Sequence, residues 1–198
     1  MFLFDHIAVG CTELSIGVAW VEDKLGVSLQ PGGQHVHYGT HNMLLGLGPD
    51  LYLEVIAKDP SAKPTGRPTW FGLDHFTGPP RLANWICRND NLAIAPEITG
   101  PAIALARGDL KWELTVPDSG DLPMDGGFPS LMKWGAGVTP PSGKLLDRGC
   151  RLKSWTVLHP DAEMLRNMVP LHDPRVYFET GPLGFEAVFE TQSGLRYL

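Results

Sequence analysis

Cysteine is scarce in this sequence: Cys11, Cys87 and Cys150 are three residues far apart, with no Cys-x-x-Cys spacing among them. That excludes a disulfide framework and a zinc–thiolate site, and leaves the thiols reading as small buried apolar side chains. Long apolar runs are also missing, and nothing approaches the roughly 20 residues of a membrane span. The N-terminus enters a strand without the basic and then apolar segment of a leader, so a cytoplasmic location with no membrane partner is expected. None of the 16 Lys and Arg residues forms a run, and the formal net charge is -6. Such a balance argues against a nucleic-acid partner, whose backbone calls for clustered cations. Gly-x-Ser-x-Gly, Gly-x-Gly-x-x-Gly and the P-loop are all absent, so neither a serine nucleophile nor a nucleotide cofactor is implied.

What is present is enough apolar material, 43% of 198 residues, for one sizeable core or two small units sharing one. The opening segment Phe2 to Val9 reads as a strand by alternation, with Phe2, Phe4, His6 and Ala8 on one face and Leu3, Ile7 and Val9 on the other. Leu51 to Ala57 alternates in the same way, with Tyr52, Glu54 and Ile56 sharing a face. Each strand thus carries one titratable, metal-competent side chain into an apolar face. Burial of such a group is costly unless it is paired, hydrogen-bonded or bound to a cation.

Between these strands, Thr12 reads as the cap of a helix that runs to Gly26 with Leu14, Val18 and Leu25 at helical spacing. A polar, Gly-rich stretch follows, in which His35, His37 and His41 cluster, and Asn42 to Leu47 resumes as a strand. Five of the 18 prolines fall between residues 58 and 80, which reads as a linker whose Trp70, Phe71 and Phe76 pack in part. Beyond it Leu82 to Arg88 repeats the opening pattern and superposes Asn84 on His6, and strands at 110–116 and 130–134 follow, Lys133 falling about where Glu54 does. A strand at 152–158, a short helix after His159-Pro160-Asp161 and a closing hairpin end the chain. The expected architecture is α+β by internal duplication: residues 1–80 as a first βαβββ unit and linker, 81–149 as a second, divergent unit, and 150–198 as a partial third βαββ unit on the same core.

Asp5-His6-Ile7-Ala8-Val9, Pro31-Gly32-Gly33-Gln34-His35, Gly39-Thr40-His41-Asn42 and Tyr52-Leu53-Glu54 together resemble the glyoxalase-like domain family of the vicinal oxygen chelate superfamily. The resemblance implies paired βαβββ units curled into a half-open barrel, with a divalent metal held by inward side chains of the first and last strands of each unit. Members include glyoxalase I, extradiol dioxygenases, epimerases, thiol transferases and metal-free bleomycin-binding proteins. This chain keeps His6 and Glu54 but has Asn84 and Lys133 at the second pair of positions, and an ammonium does not ligate a cation. The implied ligand set is therefore His6, Glu54 and a nitrogen from the histidine cluster, His35 first, for Fe, Mn, Zn or Ni. His37 or Glu54 is the expected base, with Tyr38, Asn42, Asn84, Lys133 and Trp134 about the substrate. The expected activity is that of a metal-dependent isomerase, lyase or dioxygenase on a small oxygen-rich metabolite, in a possible homodimer.

The residues admit other readings. His6 also reads as a core histidine bonded to a carbonyl. Glu54 and Lys133 also read as an inward ion pair in a metal-free protein that binds or sequesters a small molecule. His35, His37 and His41 read singly as solvated loop residues, the tryptophans as core or pocket wall, and His159 as helix-cap geometry.

Overall fold

The computed structural model describes residues 1–198. Twelve strands and two helices alternate as β1 (Leu3–Gly10), α1 (Leu14–Leu25), β2 (Gln30–His35), β3 (Thr40–Gly46), β4 (Tyr52–Lys58), β5 (Arg81–Arg88), β6 (Ala102–Arg107), β7 (Leu110–Thr115), β8 (Ser130–Trp134), β9 (Arg151–His159), α2 (Ala162–Met168), β10 (Val176–Thr180), β11 (Gly184–Thr191) and β12 (Gly194–Tyr197). The first eight strands form one sheet in the order β2-β3-β4-β1-β5-β8-β7-β6, and the last four a second sheet in the order β10-β9-β11-β12. This is the vicinal oxygen chelate architecture: β1 lies parallel to β4, β5 parallel to β8, and the two halves join antiparallel through β1 and β5. The large sheet curls until its edge strands β2 and β6 nearly meet.

In the first half, α1 buries Gly17, Val21 and Leu25 at successive turns against β3 and β4. The helix ends at Gly26, whose φ of 67° is a left-handed conformation that glycine adopts without a Cβ penalty. Its start corrects the sequence reading, because the N-cap is Glu13 rather than Thr12, and no side chain caps it. The polar stretch after α1 forms a hairpin, with β2 paired to β3 around a turn at residues 36–39, which supplies the second strand of the expected βαβββ unit.

The second half has no counterpart of α1. Two short 3-10 turns, Leu92–Ile94 and Glu97–Thr99, stand in its place, since Asn91 accepts a bond from the Ala93 amide and Pro96 then stops the chain. The small sheet covers that exposed face instead. Trp85 of β5 meets Trp155 of β9 and Phe178 of β10, with ring centroids 6.5 and 5.9 Å apart. β9 also keeps the neighbours of β1, a parallel strand reached through a helix and an antiparallel strand after it, with the two middle strands missing.

Two apolar clusters result. The larger joins the outer face of the barrel to α1 and the small sheet, and the smaller fills the floor of the barrel with Ala8, Ile56, Ile86, Met132 and a plug, Trp70, Phe71 and Leu73, from the proline-rich segment. The three thiols are buried among apolar neighbours, which pushes Cys11 and Cys150 up to about 11. No helix is long and apolar enough to cross a membrane.

Asp74 holds the plug in place. Its carboxylate accepts bonds from Lys58 Nζ at 2.7 Å and from the amide and hydroxyl of Thr69 at 2.8 and 2.9 Å. The Lys58 ammonium first, and then the Thr69 donors, hold its carboxyl down to about 2, against burial. A carboxyl depressed in the folded state contributes stability above the ordinary carboxylate range and loses it as pH falls through the folded value. Trp70 fluorescence is therefore expected to report loosening of the plug as pH falls from about 4 towards 2. Asp74→Asn should remove that transition, and a variant that keeps it would assign the change elsewhere.

Candidate active site

The mouth of the barrel is a narrow cleft lined by His6, His35, Asn42, Tyr52, Glu54 and Arg107, with walls that include Trp70, Trp112 and Trp134. An irregularity in β1 sets its polarity. The pairing of β1 with β5 slips between Phe4 and His6, leaving Asp5 without a partner. Phe4 therefore joins Ile7 and Val9 in the larger core, against strict alternation, while Asp5 can turn to the same side as His6. Asp5 Oδ1 accepts from His6 Nδ1 at 2.8 Å, and Oδ2 accepts from Trp134 Nε1 at 3.0 Å and Arg88 Nη1 at 3.3 Å. Burial alone would raise the Asp5 carboxyl, but these donors hold it below the usual carboxylate range. With Nδ1 bound to Asp5, the His6 ring presents Nε2 to the cleft, 3.7 Å from Glu54 Oε2, and stacks on Tyr52.

Glu54 reaches the same point from β4, where it pairs in register with Ala8. Its Oε1 accepts from the Asn42 amide, whose Oδ1 in turn accepts from the Gly33 amide at 2.7 Å and Arg107 Nη1 at 3.2 Å. The Asn42 amide also faces His35 Nε2 at 3.5 Å. Asn42 is therefore fully engaged, and it orients Glu54 instead of offering a free donor to substrate. Gly32 makes this possible, because a Cβ there would lie 2.0 Å from Asn42 Oδ1.

His35 donates from Nδ1 to Thr40 Oγ1 at 3.0 Å and turns Nε2 to Arg107 Nη1 at 3.1 Å. Burial first, and then the charge of Arg107, drives its basicity down to about 3, so the ring is neutral. No three His, Cys, Asp or Glu side chains come together as a metal-holding group. His6 and Glu54 converge, whereas the third expected ligand has a permanent cation against its lone pair.

The remaining expected residues divide. Trp134 is a wall of the cleft with its indole N–H engaged by Asp5. Tyr38 is buried under the plug, stacked on Trp70 at 4.4 Å, and His37 lies on the hairpin turn against Arg67, so neither reaches the cleft. Lys133 alternates with the inward Met132 and Trp134 and pairs across β7 with Glu113, so the alternative ion pair with Glu54 does not form. The true counterpart of Glu54 follows from the register: Ala8 pairs with Glu54 in the first half, and Ile86 pairs with Ser130 in the second. Asn84, buried, donates to Ser130 Oγ at 3.1 Å, so the second half holds a neutral pair where the first holds His6 and Glu54. His159 accepts from the Asp161 amide through Nδ1 at 2.9 Å, the local turn geometry expected before α2.

Two site residues escaped the sequence reading. Asp5 stood beside His6 on what alternation made the opposite face. Arg107 lies at the end of β6, a strand that went unread although Gly108-Asp109 between alternating segments signals a two-residue hairpin.

Fold and cleft together define a member of the vicinal oxygen chelate superfamily. The glyoxalase-like domain family matches residues 4–170, and the chain belongs to that family. A hypothetical protein from Staphylococcus aureus has a similar structure, with a TM-score of 0.62 at 14% identity over 93% of this chain and 88% of its own. Methylmalonyl-CoA epimerase from Mycobacterium tuberculosis aligns with a TM-score of 0.42 at 18% identity, over 66% of this chain and 85% of its own. A Streptomyces coelicolor methylmalonyl-CoA epimerase in complex with 2-nitronate-propionyl-CoA aligns with a TM-score of 0.45 at 14% identity, over 70% of this chain and 98% of its own. Comparison with curated protein sequences gives no match.

Proposed function

We propose that the cleft is the active site of a glyoxalase-like enzyme that moves a proton on a small, oxygen-rich molecule, in isomerase or lyase chemistry. The observation that carries this reading is the pair His6 Nε2 and Glu54 Oε2, 3.7 Å apart, facing each other in the cleft. With Nδ1 bound to Asp5, Nε2 and Oε2 face each other across a gap that a shared proton or a cation would fill. The donor set fits a divalent ion held by one imidazole and one carboxylate, with its other positions left to water and substrate oxygens. Asp5 behind His6 supports the fit, since a ligating histidine is ordinarily oriented by a carboxylate on its other nitrogen. When bound, such an ion supplies Lewis-acid polarisation of a carbonyl oxygen.

The protein's own groups do the rest. Glu54 is pinned at one oxygen by Asn42; its other oxygen would help to hold the ion at rest and, once a substrate oxygen takes its place, would be free as the base that takes a proton from the carbon beside a carbonyl and returns it at the neighbouring carbon. Trp112 and Trp134 enclose the molecule and exclude water. A metal-free binding protein is the second reading, favoured by the Arg107 guanidinium that lies against His35 Nε2.

Calorimetric titration with Mn²⁺ and Zn²⁺ tests the first reading. One ion per chain is expected, with affinity reduced by more than about a hundredfold in His6→Ala and in Glu54→Gln, and much less in His35→Ala. Proton wash-out from 2-oxo acids in deuterated water, followed by NMR, should fall with it. Equal metal affinity in all four proteins would overturn the assignment of His6 and Glu54.

A further inference from the structure

The position of Arg107 leads to the class of substrate. Arg107 ends β6, one edge of the curled sheet, and reaches across the seam to β2 and β3 on the other edge. Its side chain lies so close to β2 that a Cβ on Gly33 would sit 2.8 Å from Arg107 Cδ. The guanidinium is half-buried in the lining of the cleft, and it is the only Lys or Arg there.

No carboxylate neutralises it. Arg107 is in none of the ion pairs of the protein, and its hydrogen bonds all run through Nη1, to His35 Nε2 and Asn42 Oδ1, both uncharged. Nε and Nη2 have no protein acceptor. Glu54, the carboxylate of the cleft, is occupied by Asn42 and turned to His6. His35 and Asn42 thus hold the cation in place without cancelling its charge, an arrangement that suits an anion arriving from outside.

We propose that Arg107 is the anchor for a carboxylate of the substrate, and that the cleft takes a small organic acid with a flat, unsaturated body. The inference rests on the reading of the cleft as the substrate site. A carboxylate fits better than a phosphate for two reasons. Two planar oxygens match two N–H groups of a guanidinium, and within the cleft no second Lys or Arg stands by for a third charged oxygen, Lys144 and Arg148 lying in the neighbouring groove that Arg107 also borders. The flat body follows from the walls, where Trp112 and Trp134, packed on each other at a tilt of 52°, offer ring faces and Trp70 and Phe71 close the floor.

Three probes that share a phenyl ring test this: benzoate, neutral benzamide and phenylphosphonate. Binding is followed by quenching of the cleft tryptophans, in protein stripped of metal so that the result is independent of the ion reading. Benzoate is expected to bind at least about tenfold more tightly than either of the others. Arg107→Gln should erase the preference over benzamide, while Arg107→Lys keeps part of it, and near-ultraviolet circular dichroism checks that both variants are folded. Equal binding of benzoate and benzamide, tighter binding of phenylphosphonate, or an unchanged preference in Arg107→Gln would overturn the proposal. If Arg107→Gln does not fold, the wild-type preference together with Arg107→Lys decides the matter. Loss of the metal reading with the benzoate preference intact would leave the carboxylate anchor standing, and the reverse result would remove the anchor alone.

Discussion

Asp5→Ala is expected to destabilise the protein by about 3–5 kcal/mol, the usual consequence of removing one partner from a buried charged network. Asp5 is 1% exposed and accepts bonds from His6, Trp134 and Arg88. Of these donors, Arg88 can turn to water, whereas the His6 and Trp134 N–H groups would be left without acceptors in the cleft. For a chain of this size each kcal/mol moves the melting temperature by roughly 2–4 °C, so calorimetry should show a fall on the order of 10 °C. The same substitution frees the His6 ring to take its other tautomer, so under the proposed ion reading the affinity for Mn²⁺ and Zn²⁺ should fall as well, although Asp5 stands behind the ring and outside the proposed ligand pair. Asp5→Asn, which keeps the size and one acceptor oxygen, should recover more stability than metal affinity. A melting temperature within a degree or two of wild type in Asp5→Ala would mean that the network contributes little.

Trp85→Ala is expected to cost about 3–5 kcal/mol, as large-to-small changes of a buried tryptophan do. Trp85 is fully buried, donates from Nε1 to the Gly126 carbonyl at 3.2 Å and meets Phe4 edge-on at 6.0 Å. It is also a main contact between the barrel and the small sheet, through Trp155 and Phe178. The loss should therefore be uneven. Amides of β9 and β11 are expected to exchange faster, while those of β3 and β4, on the far side of the barrel, stay protected. Trp85→Phe, which retains a ring, should show a smaller and similarly placed effect. Uniform acceleration of exchange would indicate that the two sheets unfold as one unit.

Sequence and structure part company where alternation breaks. The strands that carry His6 and Glu54 were legible because each is short, apolar and interrupted by one titratable residue, and the structure brings the two side chains together. Asp5 was not, because a slip of one residue in the pairing of two strands moves a side chain to the other face and leaves no mark in composition. Lys133 was matched to Glu54 by order along the chain, whereas equivalence in a duplicated sheet is set by pairing register, and that points to Ser130. Arg107 was missed with its strand, whose alternating alanines are weak strand formers in isolation and pair only because β7 lies beside them. His35, expected as the third ligand, lines the cleft, but its lone pair faces a cation from a residue 72 positions away, a relation that only the closing of the sheet creates.

The neutral pair Asn84 and Ser130 has one more consequence. The two halves of the barrel are related by an approximate dyad, yet acid–base side chains project from one half alone. A planar molecule lying across that axis would be approached by proton-transferring groups from a single side. Such a cleft is inherently handed, so under the proposed proton-transfer chemistry mirror-image forms of one compound are expected to react at unequal rates, and a prochiral centre is expected to gain its proton on one face.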